Sequence, residues 1–188
     1  MPVSRMSIFP TYLWKAESSI DNRRLKNQCY IHRESSSTTI NSVSSVGGYQ
    51  CEDFRDTELD NFIKNNSPAS KVNEPLEMDV YTWININPKG SSNYRHNHFE
   101  QTLPILWSGI YYVKIPKDSG SIRFYDPRSH MIHRCMDMQY IFGESTPAIE
   151  FEPKEGDCYY FPTWLEHDVG MNVSNEDRIS IAFNIFVK

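Results

Sequence analysis

The sequence predicts a mainly β protein, a sandwich or jelly roll with two helices at its N-terminal end. Aromatic residues reach 13% of the chain and are mostly Tyr and Phe, which favour strands. Residues 80–87 and 178–187 alternate with period two, the pattern of a strand with two different faces. From Met78 onward, short β-rich runs recur between Gly, Pro and Asp turn signals, a spacing that suits a jelly roll.

A length of 188 residues suits one domain and is enough to bury a sizeable core. Residues 1–77 are expected to form a helical and loop part that packs on a jelly-roll core at 78–188. The formal charge of -5 disfavours a general binder of phosphate backbones. No apolar run is long enough for a membrane-spanning helix, and Met1–Met6 lacks the apolar centre of a secretory signal. Cys29, Cys51, Cys135 and Cys158 are scattered with no CxxC pair, so reduced thiols in a cytoplasm are expected.

Ser7-Ile8-Phe9 reads as a short strand broken by Pro10. From Ser19 to Arg33 a helix is predicted, with Ser19 as N-cap and Ile20, Leu25 and Cys29 as its apolar stripe. Residues 34–48 are rich in Ser, Thr and Gly and read as a loop. A second helix is predicted from Asp56 to Lys64, burying Leu59, Phe62 and Ile63 and stopped before Pro68.

In the first long strand Val80, Thr82, Ile84 and Ile86 make one face. Tyr81, Trp83, Asn85 and Asn87 make the other, a composition that suits a pocket wall. A strand is expected over Tyr94–Glu100. Ser108–Ile115 and Ser121–Tyr125 flank a Gly-containing turn and read as a hairpin. Residues 129–147 read as irregular, and Ala148–Phe151 and Asp157–Phe161 as strands. In the last strand Ile179, Ile181, Phe183, Ile185 and Val187 face one side, and Arg178, Ser180, Ala182, Asn184 and Phe186 the other.

Three histidines carry the chemistry. On a strand, His96 and His98 at i and i+2 point to one face, so both imidazoles can ligate one metal. His167, at a strand end after Trp164, is the natural third ligand, and imidazoles with open positions suit iron, zinc or copper. Glu100 stands in the same phase, so His98 with Glu100 is an equally spaced pair that would favour Fe(II). Spacing does not separate the two pairs. An arginine on the inward face of a β domain is costly unless an anion meets it. Arg178 can grip a carboxylate in a two-point fork, and Ser180 can add a hydroxyl. The plainer reading is a salt bridge from Arg178 to Asp157 or Glu155.

These residues resemble the double-stranded β-helix dioxygenases that depend on Fe(II) and 2-oxoglutarate. Gly47-Gly48-Tyr49-Gln50, Trp83-Ile84-Asn85-Ile86-Asn87, His96-Asn97-His98, Phe161–His167 and Arg178–Asn184 are, in this order, similar to the 2-oxoglutarate–Fe(II) oxygenase family common in marine bacteria and their phages. Two features depart from it. Phe99 stands where the family has a proline, and the run from Phe99 to Trp107 is longer, which would reshape a substrate mouth. The resemblance implies a cupin-like jelly roll with Fe(II) on His96, His98 (or Glu100) and His167. It implies 2-oxoglutarate on Arg178 and Ser180, with Tyr111 or its neighbour Tyr112 and Asn85 assisting. It further implies a dioxygenase that uses O2, releases succinate and CO2, and hydroxylates a small-molecule or peptidyl substrate. Trp83 and the 99–107 loop would be substrate walls. A homodimer is compatible with the chain. Two rivals stand beside this reading. One is a three-histidine cupin-type metal enzyme without 2-oxoglutarate, in which Arg178 serves the substrate directly. The other is a metal-binding jelly roll without turnover.

Overall fold

The computed structural model describes residues 9–35, 44–71, 76–99, 104–128 and 148–187. The predicted strand at Ser7-Ile8-Phe9, the irregular stretch 129–147, Glu100 and Cys135 lie wholly or partly outside these residues.

Two helices come early. In α1 (Asn22–Ser35), Leu25 and Cys29 are buried. Its cap is Asp21 rather than Ser19: the Asp21 carboxylate accepts from the Arg23 amide at 3.0 Å, the bond an N-cap makes. In α2 (Thr57–Asn66), the Asp56 carboxylate caps the Leu59 amide at 2.9 Å, and Leu59 and Ile63 are buried. Arg24 of α1 reaches the same Asp56 carboxylate and so ties the two helices.

The N-terminal part is not only helix and loop. It contributes β1 (Trp14–Glu17), β2 (Ser45–Val46) and β3 (Tyr49–Glu52). The remaining strands are β4 (Met78–Asn87), β5 (Ser92–His96), β6 (Ile105–Lys114), β7 (Ile122–Tyr125), β8 (Ala148–Phe151), β9 (Asp157–Phe161), β10 (His167–Val169) and β11 (Arg178–Val187). They form two antiparallel sheets, a major one ordered β1-β9-β6-β11-β4-β3 and a minor one ordered β2-β5-β10-β7-β8. This is the expected jelly roll with flanking helices.

The predicted hairpin does not form. β6 pairs with β9 and β11, whereas β7 pairs with β10 and β8 in the other sheet. The turn at Pro116–Gly120 exists, with the Ser119 amide donating to the Pro116 carbonyl at 3.2 Å. It carries the chain across the sandwich because both edges of β6 are already taken.

Two apolar layers follow from strand phase. Ile84 and Ile86 of β4 and Ile179, Ile181, Phe183 and Ile185 of β11 pack with Leu25, Leu59 and Ile63 under the helices. The second layer lies between the sheets and contains Ile110, Tyr112, Phe124, Phe161 and Leu165. Gly109 allows the first layer to close, since a Cβ there would meet the Phe183 ring at 2.2 Å and the Tyr159 carbonyl at 2.3 Å. The polar faces of β4 and β11 are left looking into the space between the sheets.

Candidate metal centre and anion pocket

The minor sheet brings two histidines together directly. β5 and β10 are antiparallel neighbours and His96 stands opposite His167, with ring centroids 4.4 Å apart. β5 ends at His96, short of the predicted Glu100. The ladder still continues irregularly, because the His98 amide donates to the Thr163 carbonyl at 2.8 Å. His98 therefore turns inward beside its partners, 5.0 Å from the His167 ring.

Hydrogen bonds fix which nitrogen each ring presents. His96 Nδ1 donates to the Tyr94 carbonyl at 2.7 Å and His167 Nδ1 to the Leu165 carbonyl at 3.1 Å. A carbonyl can only accept, so these Nδ1 atoms carry the protons and both Nε2 atoms keep lone pairs. His98 Nδ1 meets Asn184 Oδ1 at 3.1 Å, and the same oxygen accepts from Ser108 Oγ at 2.7 Å. His98 Nε2 and His96 Nε2 then face each other at 3.4 Å. One nitrogen from each histidine lies within 4.8 Å of the others. Converging lone pairs on neutral rings repel unless a cation sits between them, so the cluster fits a metal. Burial keeps the rings neutral: it lowers His96, lowers His98 to about 4 and pushes His167 well below the usual imidazole value, the neighbouring rings adding to the effect for the last two.

No carboxylate joins the cluster among the described residues. Asp168 follows His167 but points to the opposite face of β10, where Arg123 grips it through two 2.7 Å bonds and the Tyr125 hydroxyl donates at 2.6 Å. Glu166 is held by Arg95 on the exposed side.

The histidines stand in a cavity of about 460 Å3, mouth included, whose lining also contains Arg178, Ser180, Tyr112, Asn85, Trp83 and Gln50. Arg178 is 2% exposed. The alternative, a salt bridge to Asp157 or Glu155, does not form: Asp157 pairs with Lys15, Glu155 accepts from the Ile115 amide, and Arg178 has no ion pair among the described residues. Arg178 Nη1 donates to the carbonyls of Ser119 at 2.6 Å and Gly170 at 3.1 Å. Gly120 makes room for that cap. Its φ is +89°, and a Cβ there would lie 2.3 Å from the Gly170 carbonyl and 3.0 Å from Nη1. Nε and Nη2 have no protein partner among the described residues. Desolvation lowers the guanidinium pKa to about 10.

Of the two adjacent tyrosines, Tyr111 is the one named first from the sequence with Tyr112 as its alternative, and the structure favours the alternative. The Tyr111 side chain packs in the layer under the helices and its hydroxyl donates to Asn22 Oδ1 at 2.7 Å. Tyr112 takes the cavity position, and its fully buried hydroxyl has no hydrogen-bond partner among the described residues. Asn85 and Ser180 line the cavity. Gln50, Asn184 and Ser108 were missed. For Asn184 a signal existed, because it shares the inward phase of Arg178 and Ser180.

The ligand set also corrects the reaction class. The 2-oxoglutarate-dependent dioxygenases that the sequence resembles hold iron with two histidines and one Asp or Glu. The cluster found among the described residues is three neutral imidazoles. That finding overturns the expectation of a dioxygenase using 2-oxoglutarate as cosubstrate with O2 and releasing succinate and CO2. It fits the three-histidine alternative better. The carboxylate candidate Glu100 lies outside the described residues.

The family model described as "Putative 2OG-Fe(II) oxygenase" matches residues 81–184, more than half of the chain. Among solved structures, a Pseudomonas putida prolyl-4-hydroxylase is similar, with a TM-score of 0.64 at 15% identity over 95% of this chain and 94% of that one. A 2OG-Fe(II) oxygenase family oxidoreductase from Burkholderia pseudomallei gives 0.59 at 10% identity, covering 93% and 84%. HygX from Streptomyces hygroscopicus, solved with nickel and 2-oxoglutarate bound, gives 0.60 at 11% identity, covering 94% and 83%. At these identities the likeness shows the fold. No curated protein matches the sequence.

Proposed function

The chain belongs to this family of 2OG-Fe(II) oxygenases, and within it we propose a three-histidine, cupin-type metal enzyme that does not use 2-oxoglutarate. His96, His98 and His167 hold a divalent first-row metal, iron among the candidates, and Arg178 binds a carboxylate of the substrate directly. The observation that carries the reading is the pairing of two features in one cavity. Among the described residues, three imidazole lone pairs converge without a carboxylate, and a buried guanidinium shares the cavity without a counter-ion.

When bound, the metal supplies Lewis-acid or redox chemistry at its open positions. The protein contributes orientation and exclusion of water. The Tyr94 and Leu165 carbonyls and Asn184 aim the rings, and Phe161 lies against His167 with centroids 4.7 Å apart. Arg178, Tyr112 and Ser180 offer a charge-assisted fork, a phenol and a hydroxyl to an anionic group. Asn85 and Trp83 form the adjoining wall.

A cytoplasmic setting is supported by the reduced, buried thiols of Cys29 and Cys158 among the described residues. No described helix is long and apolar enough to cross a membrane. Kinship with the marine bacterial and phage branch rests on the motif order in the sequence. The acidic net charge favours a small-molecule or peptidyl substrate over nucleic acid.

The test is metal stoichiometry together with 2-oxoglutarate turnover. Purified protein reconstituted with Fe(II), Co(II) or Zn(II) should bind about one ion per chain, and His167→Ala should lose it. The Fe(II) form supplied with 2-oxoglutarate and oxygen should release no succinate. Steady succinate release, or full metal retention in His167→Ala, would overturn the proposal.

A further inference from the structure

Four cavity residues form a single row across the major sheet. In the register, Tyr112 of β6 stands opposite Ser180 of β11, Ser180 opposite Asn85 of β4, and Asn85 opposite Gln50 of the edge strand β3. All four line the cavity. Three are nine-tenths or more buried: Tyr112 at 1%, Ser180 at 4% and Asn85 at 6% exposure. None of the four side chains has a hydrogen-bond partner among the described residues, and the Tyr112 hydroxyl is a buried orphan.

The buried Tyr112 hydroxyl costs stability unless something pairs with it. Ser180, Asn85 and Gln50 line the same cavity beside it, so the row suits a polar ligand. Its chemistry is graded. Arg178, two residues before Ser180 on β11 and within electrostatic reach of Tyr112, supplies the only charged side chain among the described lining residues. Toward the sheet edge come two carboxamides, each offering both donor and acceptor to a neutral partner. No Asp or Glu among the described lining residues could balance an ammonium group.

Resting on the carboxylate-binding role of Arg178 above, we infer that the substrate is a carboxylic acid whose body carries neutral hydrogen-bonding groups, a polyhydroxylated acid, lying along the row from Tyr112 to Gln50. The carboxylate sits at Arg178, Tyr112 and Ser180. Hydroxyls along the chain pair with Asn85 and then with Gln50 near the edge. An aliphatic acid of equal length leaves both amides unpaired, and a terminal ammonium meets no counter-charge.

Three six-carbon probes test this by calorimetric titration of the full, metal-free chain: D-gluconate, hexanoate and 6-aminohexanoate. Gluconate should bind at least about tenfold more tightly than hexanoate, the scale of one or two net hydrogen bonds, and 6-aminohexanoate should bind most weakly. Asn85→Leu and Gln50→Leu should each erode the preference for gluconate while leaving hexanoate affinity unchanged or improved. Arg178→Met should abolish binding of both gluconate and hexanoate. Equal or tighter binding of hexanoate by the wild-type chain overturns the inference while leaving the carboxylate role of Arg178 intact. Failure of all three acids to bind removes both. Because the wild-type comparison decides the matter, a variant that fails to fold does not shield the idea, and thermal midpoints identify such a variant.

Discussion

Replacing Arg178 with methionine separates a ligand-binding arginine from a structural one. A guanidinium held in a buried ion pair is expensive to remove, about 3–5 kcal/mol, because its partner is left charged and buried. Arg178 has no such partner among the described residues. Its pKa falls from 12.5 to about 10 through desolvation, which corresponds to roughly 3 kcal/mol of retained penalty at neutral pH. Methionine recovers that penalty and keeps most of the side-chain volume. It forfeits the bonds from Nη1 to the Ser119 and Gly170 carbonyls, worth on the order of 1.5–3 kcal/mol each. The two effects largely offset, so the variant should lose no more than about 3 kcal/mol relative to the wild type by urea denaturation of metal-free protein. Stabilisation by ligand should respond much more strongly. A carboxylate at a hundred times its Kd adds about 2.7 kcal/mol to the wild type and should add nothing to Arg178→Met. A loss above roughly 4 kcal/mol without ligand, with carboxylate stabilisation preserved, would show that Arg178 is part of the scaffold and would refute the reasoning.

Three further outcomes are expected. Asn184→Ala frees the His98 ring and should weaken Co(II) binding by about 10- to 100-fold; an unchanged affinity in a normally folded variant would remove Asn184 from the positioning of that ligand. Tyr111→Phe breaks the bond to Asn22 and should cost about 1 kcal/mol of stability without altering carboxylate binding, whereas Tyr112→Phe deletes an unpaired hydroxyl and should weaken carboxylate binding at little cost in stability; calorimetry and urea denaturation read the contrast. The buried neutral histidines should make the metal-free protein acid-sensitive. His98 has a folded pKa of about 4 against the ordinary imidazole value of 6.5, so the unfolded chain binds the extra proton and stability falls as pH drops from about 6.5 toward 4. The loss attributable to His98 is roughly 3 kcal/mol, and a His98→Gln variant should show a flatter thermal-midpoint profile over that window.

The strands that carry the site were readable because their two faces meet different surroundings. In β4 and β11 one face packs under helices and the other looks into a polar cavity, so period-two alternation assigned Asn85, Arg178 and Ser180 to the inside. His96, His98 and His167 were readable as a set for a similar reason, since an i, i+2 pair shares a face wherever the strand lies. The Tyr111–Tyr112 choice was not readable. Residues Ser108–Val113 are buried without interruption, both faces of β6 are covered, and alternation carries no phase there. Only the pairing of Ser180 with Tyr112, next to a register shift between Ile179 and Ser180, decided which tyrosine enters the cavity.

By itself, then, the sequence determined the jelly roll, the inward faces of its two long strands and the histidines available for a metal, because these follow from local periodicity. The tertiary structure decided the rest. It sent the Pro116–Gly120 turn between sheets rather than into a hairpin, because the neighbours of β6 come from distant segments. It turned Asp168 outward to Arg123 while His96, His98 and His167 converged without a carboxylate among the described residues. It left Arg178 without a counter-ion, and the row from Tyr112 to Gln50 without hydrogen-bond partners, among the described residues around one cavity. Those are relations between strands far apart in the chain, and no local pattern encodes them.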